Sequence, residues 1–120
     1  MKYPPIQNYI AGNFVTPSTD TAMQVISPLD GNLLSTVPMS GKNDLDHAVE
    51  SARNAFPSWS NTPIKERVQV FFRYKTLLEK NLKILAELCS EENGKTYSES
   101  VAEIEKCIEL TEFATSLPQL

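Results

Sequence analysis

Along the first forty residues, apolar positions come in short runs cut by turn-forming residues. Asn8-Tyr9-Ile10-Ala11-Gly12-Asn13-Phe14-Val15 carries two short apolar arms around Ala11-Gly12-Asn13. Glycine and asparagine tolerate positive φ, so this stretch predicts a tight hairpin. Thr16-Pro17-Ser18-Thr19-Asp20 is a loop. Ala22-Met23-Gln24-Val25-Ile26 then reads as a strand and Leu33-Leu34-Ser35-Thr36-Val37 as its partner, stopped by Pro38. Between them Pro28-Leu29-Asp30-Gly31 has the proline placement and Asp-Gly end of a turn. Residues 1–7 contain two prolines and are expected to be irregular.

From about residue 42 the period lengthens. Leu45, Ala48, Val49, Ala52 and Phe56 fall at helical spacing and predict an amphipathic helix. Asn43 or a neighbour caps it, Asp44 and Asp46 suit its positive N-terminal end, and Pro57 is expected to end it. Thr62-Pro63 is a helix start, a hydroxyl cap followed by proline in the first turn. Ile64, Val68, Phe71, Phe72 and Leu78 mark the apolar side of this second helix. Lys65, Arg67, Arg73, Lys75 and Lys80 mark the other. Asparagine favours caps over helix interiors, so an interruption is expected near Asn81, with Leu82, Leu85, Leu88 and Cys89 in a third segment. Gly94 suits the left-handed position after a helix. Thr96 and Glu99 have capping-box spacing and open a fourth, whose apolar side is Val101, Ile104, Cys107, Ile108, Thr111 and Ala114 and which runs to about Leu117.

The expectation is therefore an α+β chain: two short N-terminal β-hairpins over residues 1–40, then about four α-helices over 41–120. Two hairpins this small do not stand alone. The helices offer more apolar surface than two hairpins can cover, with Trp59, Phe71, Phe72 and Phe113 as core or interface residues. Residues 1–120 thus read as an incomplete domain packing on further structure. No internal repeat or low-complexity tract is present.

Charge changes the picture little. A net charge of −4 over 120 residues is mild. Its distribution is uneven: residues 91–112 hold seven glutamates and two lysines, a local −5, which leaves +1 for the rest. There is no basic stripe, so nucleic acid has no electrostatic footprint. No apolar run approaches the roughly 20 residues of a membrane span. The first residues lead into no apolar stretch of signal-peptide length, and the first arginine is Arg53, so the cytoplasm is the expected location.

Several residues carry candidate chemistry. Ser90-Glu91-Glu92-Asn93-Gly94-Lys95-Thr96 ends in the Gly-Lys-Thr of a phosphate-binding loop, but that motif needs a glycine at position 89, where Cys89 stands, and a preceding strand. A helix C-cap followed by an N-cap accounts for it better. Cys89 and Cys107 could be thiolate nucleophiles. Both lie on apolar sides of expected helices, and His47, the one histidine, is in another helix beside Asp46. Buried structural cysteines are the expectation, and their spacing of 18 fits no paired-cysteine metal or redox motif. Glu99 and Glu103, and Glu105 and Glu109, are i,i+4 pairs. One helix gives no convergent cage for a cation, so a solvated or base-facing surface is expected.

The ordered series of short stretches resembles the N-terminal portion of the aldehyde dehydrogenase superfamily from about Asn8 to Leu120. Tyr9-Ile10-Ala11-Gly12-Asn13-Phe14-Val15 is similar to the family's opening strand-turn-strand, and Ser27-Pro28-Leu29-Asp30-Gly31 to its Asn-Pro-x-x-Gly turn, with Val37-Pro38 after it. Asp44 to Val49 and Ala52 to Trp59, then Glu66-Arg67, Glu92 to Thr96, Ile108-Glu109 and Glu112-Phe113-Ala114 follow in family order. Phe56 to Pro63 and Gly94-Lys95-Thr96 look most like the methylmalonate-semialdehyde branch. Lys106 stands where many relatives have arginine, which weakens any bidentate pairing there.

The resemblance implies NAD(P)-dependent oxidation of an aldehyde. A cysteine thiolate attacks the carbonyl, backbone and Asn donors hold the oxyanion, hydride passes to the nicotinamide, and water or coenzyme A releases the acyl group. It also implies packing against the remainder of the enzyme or other subunits, and a homo-oligomer. The family's catalytic, cofactor and general-base residues match nothing in 1–120, Cys89 and Cys107 included, so no catalytic, cofactor-binding or metal residue is expected here. The competing expectation is a non-catalytic interaction module whose acidic last helix docks a basic partner.

Overall fold

The computed structural model describes residues 1–119. Two antiparallel strand pairs come first. β1 (Asn8–Ile10) pairs with β2 (Asn13–Val15), and β3 (Ala22–Ile26) pairs with β4 (Leu33–Pro38). Three α-helices follow: α1 (Lys42–Asn61), α2 (Ile64–Asn93) and α3 (Tyr97–Ser116), with one 3-10 turn at Leu117–Gln119. The α+β expectation stands, with three α-helices in place of about four. The change from strand to helix falls between Pro38 and Lys42, but the chain groups into compact units at a different place, Met1–Ser60 and Asn61–Leu120.

In the first unit, Ile10 faces Asn13 across a two-residue turn. The positive φ values fall on Ala11 (51°) and Gly12 (82°), so an alanine takes a conformation that normally favours Gly or Asn. Asn13 instead starts β2 and donates its side-chain amide to the Ala11 carbonyl at 3.1 Å. The second turn is closed from both ends: Ser27 N donates to Asn32 O and Gly31 N to Ser27 O, each at 2.9 Å, with Gly31 at φ 74°. The Asn32 backbone N–H, then the Ser27 hydroxyl and the Asn32 side chain, hold the Asp30 carboxyl below its ordinary value. Residues before β1 form no strand but lie along β4. Tyr3 N donates to Leu34 O at 2.8 Å, Ile6 N to Thr36 O at 2.9 Å, and the Ser35 hydroxyl to Pro4 O at 2.7 Å. Ile10, Pro17, Ser27, Leu34 and Ser35 are the buried residues here.

α1 opens at Gly41, whose N–H donates to the Asp44 carboxylate at 2.9 Å, half of a capping box. Asn43 therefore lies inside the first turn rather than at the cap. Pro57 does not end the helix, which runs one turn further to Asn61. A proline's fixed φ is helical, and its cost is the missing N–H and crowding of the preceding turn. The Ser58 hydroxyl donates to Ala55 O at 3.0 Å in that turn.

α2 begins after Pro63, which has extended ψ (140°) and no side-chain cap; its carbonyl accepts from Glu66 N and Arg67 N. The helix passes through Asn81 unbroken because that side chain turns inward on its own helix, donating to Leu77 O at 2.7 Å. The expected second and third helices are thus one helix of 30 residues. It packs antiparallel to α3. Leu78 and Ala86 of α2 and Ser100 of α3 are buried, Ala86 and Ser100 at 0% exposure. Two small side chains at the fully enclosed positions let helix backbones approach closely.

Candidate functional site

The turn from α2 to α3 is where the sequence most resembles a ligand-binding loop. Gly94 closes α2 in the left-handed conformation (φ 69°), and its N–H donates to Ser90 O at 2.9 Å. The Ser90 hydroxyl donates to Lys95 O at 2.7 Å, and the Asn93 side chain to Cys89 O at 3.1 Å. Thr96 then opens α3 with a full capping box: Glu99 N donates to the Thr96 hydroxyl, and Thr96 N to the Glu99 carboxylate at 3.0 Å. The Thr96 hydroxyl and then its backbone N–H hold the Glu99 carboxyl below its ordinary value.

These bonds consume the groups a phosphate loop would present. The N–H groups of Gly94, Thr96 and Glu99 point to acceptors within the turn, and a glutamate already sits at the positive end of α3. Lys95 is held by Glu103, an ion pair that raises the Lys95 ammonium above its ordinary value and lowers the Glu103 carboxyl below its own. The loop is a helix-to-helix joint, as its cap residues predict.

Around that joint lies a polar cluster the sequence did not announce. Cys89 Sγ donates to Glu103 Oε2 at 3.6 Å, and Asn93 Nδ2 approaches the same sulfur at 3.7 Å. Cys89 is half-buried, as an apolar-side cysteine should be, but Cys107 is exposed, against expectation. Its neighbours Ile104 and Ile108 take the shielded side of α3 instead. His47 is exposed on α1.

The acidic stretch of α3 meets bases along the hairpin. Glu112 pairs with Lys75 of α2 at 3.0 Å, and Glu109 with Lys106 at 2.7 Å. The hydrogen bond that Lys75 donates to Glu112, more than the one it donates to Glu79, raises the Lys75 ammonium above its ordinary value. Among the described residues no three His, Cys, Asp or Glu side chains converge as a metal site. The i,i+4 glutamates were legible, as was the i,i+3 pair Lys106–Glu109, but the Lys95–Glu103 and Lys75–Glu112 pairs were not.

With strand pairs, helix order and capped joint in place, the comparisons with known proteins fall on the same frame. The chain belongs to the aldehyde dehydrogenase family, whose profile matches residues 14–119. It is 40% identical over 115 residues to malonate-semialdehyde dehydrogenase 1 of Geobacillus kaustophilus (strain HTA426), covering 96% of this chain and 24% of that protein. Among solved structures it superimposes with a TM-score of 0.91 on a Sinorhizobium meliloti 1021 chain described as a methylmalonate-semialdehyde dehydrogenase and solved with NAD, at 33% identity over 99% of this chain and 24% of that one. The methylmalonate-semialdehyde dehydrogenase of Oceanimonas doudoroffii gives the same TM-score at 30% identity, over 98% of this chain and 24% of that one. The chain thus spans about a quarter of the length of these relatives.

Proposed function

We propose that this chain is the N-terminal scaffold of an NAD-dependent aldehyde dehydrogenase acting on malonate or methylmalonate semialdehyde, with coenzyme A taking up the acyl group. The observation that carries the reading is the 40% identity to a malonate-semialdehyde dehydrogenase across 96% of the chain. In this reading the reacting cysteine, the oxyanion donors and the nicotinamide site belong to the polypeptide outside the matched quarter. Residues 1–120 supply strands and helices packed around it, in a cytoplasmic homo-oligomer. The one carboxylate beside Cys89, Glu103, is held in an ion pair by Lys95, and the other polar neighbour of the sulfur is the Asn93 amide.

The acidic-module alternative loses support from the same structure. The glutamates it would use on a basic partner, Glu103, Glu109 and Glu112, are already paired with Lys95, Lys106 and Lys75. Among the described residues no helix is long and apolar enough to cross a membrane.

The test is NADH production from a panel of semialdehydes, with and without coenzyme A. The 120-residue chain alone should give none above background. The same chain grafted in place of the matched segment of the Geobacillus enzyme should give turnover that depends on malonate or methylmalonate semialdehyde. Turnover by the chain alone that disappears on Cys89→Ser or Cys107→Ser would overturn the reading.

A further inference from the structure

The joint between α2 and α3 holds a reactive step in check. Asn93-Gly94 is the only Asn-Gly step among the eight asparagines of the chain. The carbon of an asparagine amide lies within reach of the next backbone nitrogen, and glycine, lacking Cβ, obstructs that approach least. In an open chain the Gly94 nitrogen can attack Asn93 Cγ. In the folded chain each participant is tied elsewhere. The Gly94 N–H donates to Ser90 O at 2.9 Å, so its nitrogen belongs to the helix cap. Asn93 is the last residue of α2, and its Nδ2 turns back to Cys89 O at 3.1 Å and to Cys89 Sγ at 3.7 Å. Gly94 is fixed at φ 69°, and the Ser90 hydroxyl clamps the far side of the turn by donating to Lys95 O at 2.7 Å. Both residues are nonetheless exposed, so water meets them as soon as the cap lets go.

We propose that Asn93 is a deamidation site which the closed α2–α3 joint protects, and which weakens that joint once it reacts. When the joint opens, the Gly94 nitrogen gives up its proton and bonds to Asn93 Cγ. The Cγ–Nδ2 bond breaks, and ammonia leaves with that proton, so a five-membered imide remains. Water then adds to one of the two imide carbonyls. Opening at one gives aspartate. Opening at the other gives isoaspartate, whose backbone runs through an extra carbon. Either product removes the donor to Cys89 O and puts a carboxylate at the negative end of α2. The new charge lies beside the sulfur that meets Glu103 at 3.6 Å, so it competes with Glu103 for Lys95. Isoaspartate also moves Gly94 out of register with Ser90 O. Each change favours the open joint, and the lost ammonia makes the step one-way. The inference stands independently of the dehydrogenase reading.

The test is a time course of the 120-residue chain at mildly alkaline pH. Mass spectrometry after trypsin follows Asn93 in the fragment of residues 84–95, and an isoaspartyl methyltransferase assay measures isoaspartate. The chain unfolded in guanidinium chloride should lose the Asn93 amide at least about ten-fold faster than the folded chain. Thr96→Ala, which loosens the cap of α3, should raise the folded-state rate several-fold. Should that variant fail to fold, guanidinium below the unfolding transition replaces it, and the rate should climb with concentration. Asn93→Gln, whose longer side chain would have to close a six-membered ring, should show no conversion in this fragment. Asn93→Asp, the product made directly, should lower the midpoint of guanidinium unfolding. Equal rates in the folded and unfolded chain would overturn the proposal. So would faster conversion at another asparagine of the unfolded chain, or an Asn93→Asp midpoint at or above that of the unaltered chain.

Discussion

α1 and the α2–α3 hairpin are both helical, yet their patterns and their situations differ. α1 has the better-separated apolar side and no buried residue. The hairpin has a more mixed pattern but encloses Leu78, Ala86 and Ser100, caps its joint at both ends and ties its helices with Lys75–Glu112 and Lys95–Glu103. Amphipathicity therefore shows that a helix has something to bury, not that the partner is in the same chain. The helix with the sharper pattern is the one that buries none of its residues.

The largest separation of the two should come from truncating apolar side chains. Leu78→Ala removes a buried contact of the hairpin and should cost about 2–4 kcal/mol in urea unfolding followed by circular dichroism. Phe56→Ala on α1 should cost less than about 0.5 kcal/mol in the same chain. Equal costs would mean that α1 is covered within the chain after all.

Caps come next. Thr96→Ala removes the hydroxyl that accepts from Glu99 N and should destabilise the hairpin by about 1 kcal/mol. The opposite sign is expected at Ser100, whose hydroxyl is fully enclosed without a hydrogen-bond partner. Ser100→Ala keeps the close helix contact, removes the unsatisfied group and should raise stability by about 1 kcal/mol. A loss at Ser100 would show that the hydroxyl is satisfied in solution.

The smallest effect is in the pH dependence. Lys95 holds the Glu103 carboxyl below its ordinary 4.5, so this contribution is complete above that value and fades as pH falls through the lower folded-state one. For Lys95 the sign reverses: its contribution is complete below 10.5 and fades as pH rises through the higher folded-state value. Glu103→Gln should flatten the stability profile at both limits. The pair is exposed, so the change should be small and shrink with added salt. A profile unaltered at both limits would show that the pair contributes nothing.

What the sequence disclosed and what it hid divide along the range of the interactions. Gly31, Gly94 and the Thr96–Glu99 box act within a few residues, and each sits where its residue type predicts. The break expected at Asn81 did not occur because a helix propensity of well under 1 kcal/mol is outweighed by packing along 30 residues, and because the Asn81 amide finds Leu77 O. Pro57 fails as a stop for a similar reason: its cost is real, but it falls in a turn the helix can complete. The Lys95–Glu103–Cys89 cluster and the Lys75–Glu112 pair were invisible because they depend on how two helices align. The phosphate-loop resemblance failed on local grounds already in the sequence, with Cys89 where a glycine is required.

The strip of backbone from Lys2 to Ile6 has a practical consequence. By bonding to Leu34 O and Thr36 O it occupies the free margin of β4. An open strand margin recruits other chains, and the apolar residues near it would feed that growth. Shortening the N-terminus, or fusing a bulky tag close to Tyr3, should therefore make the chain clump during expression, with little change in its helices.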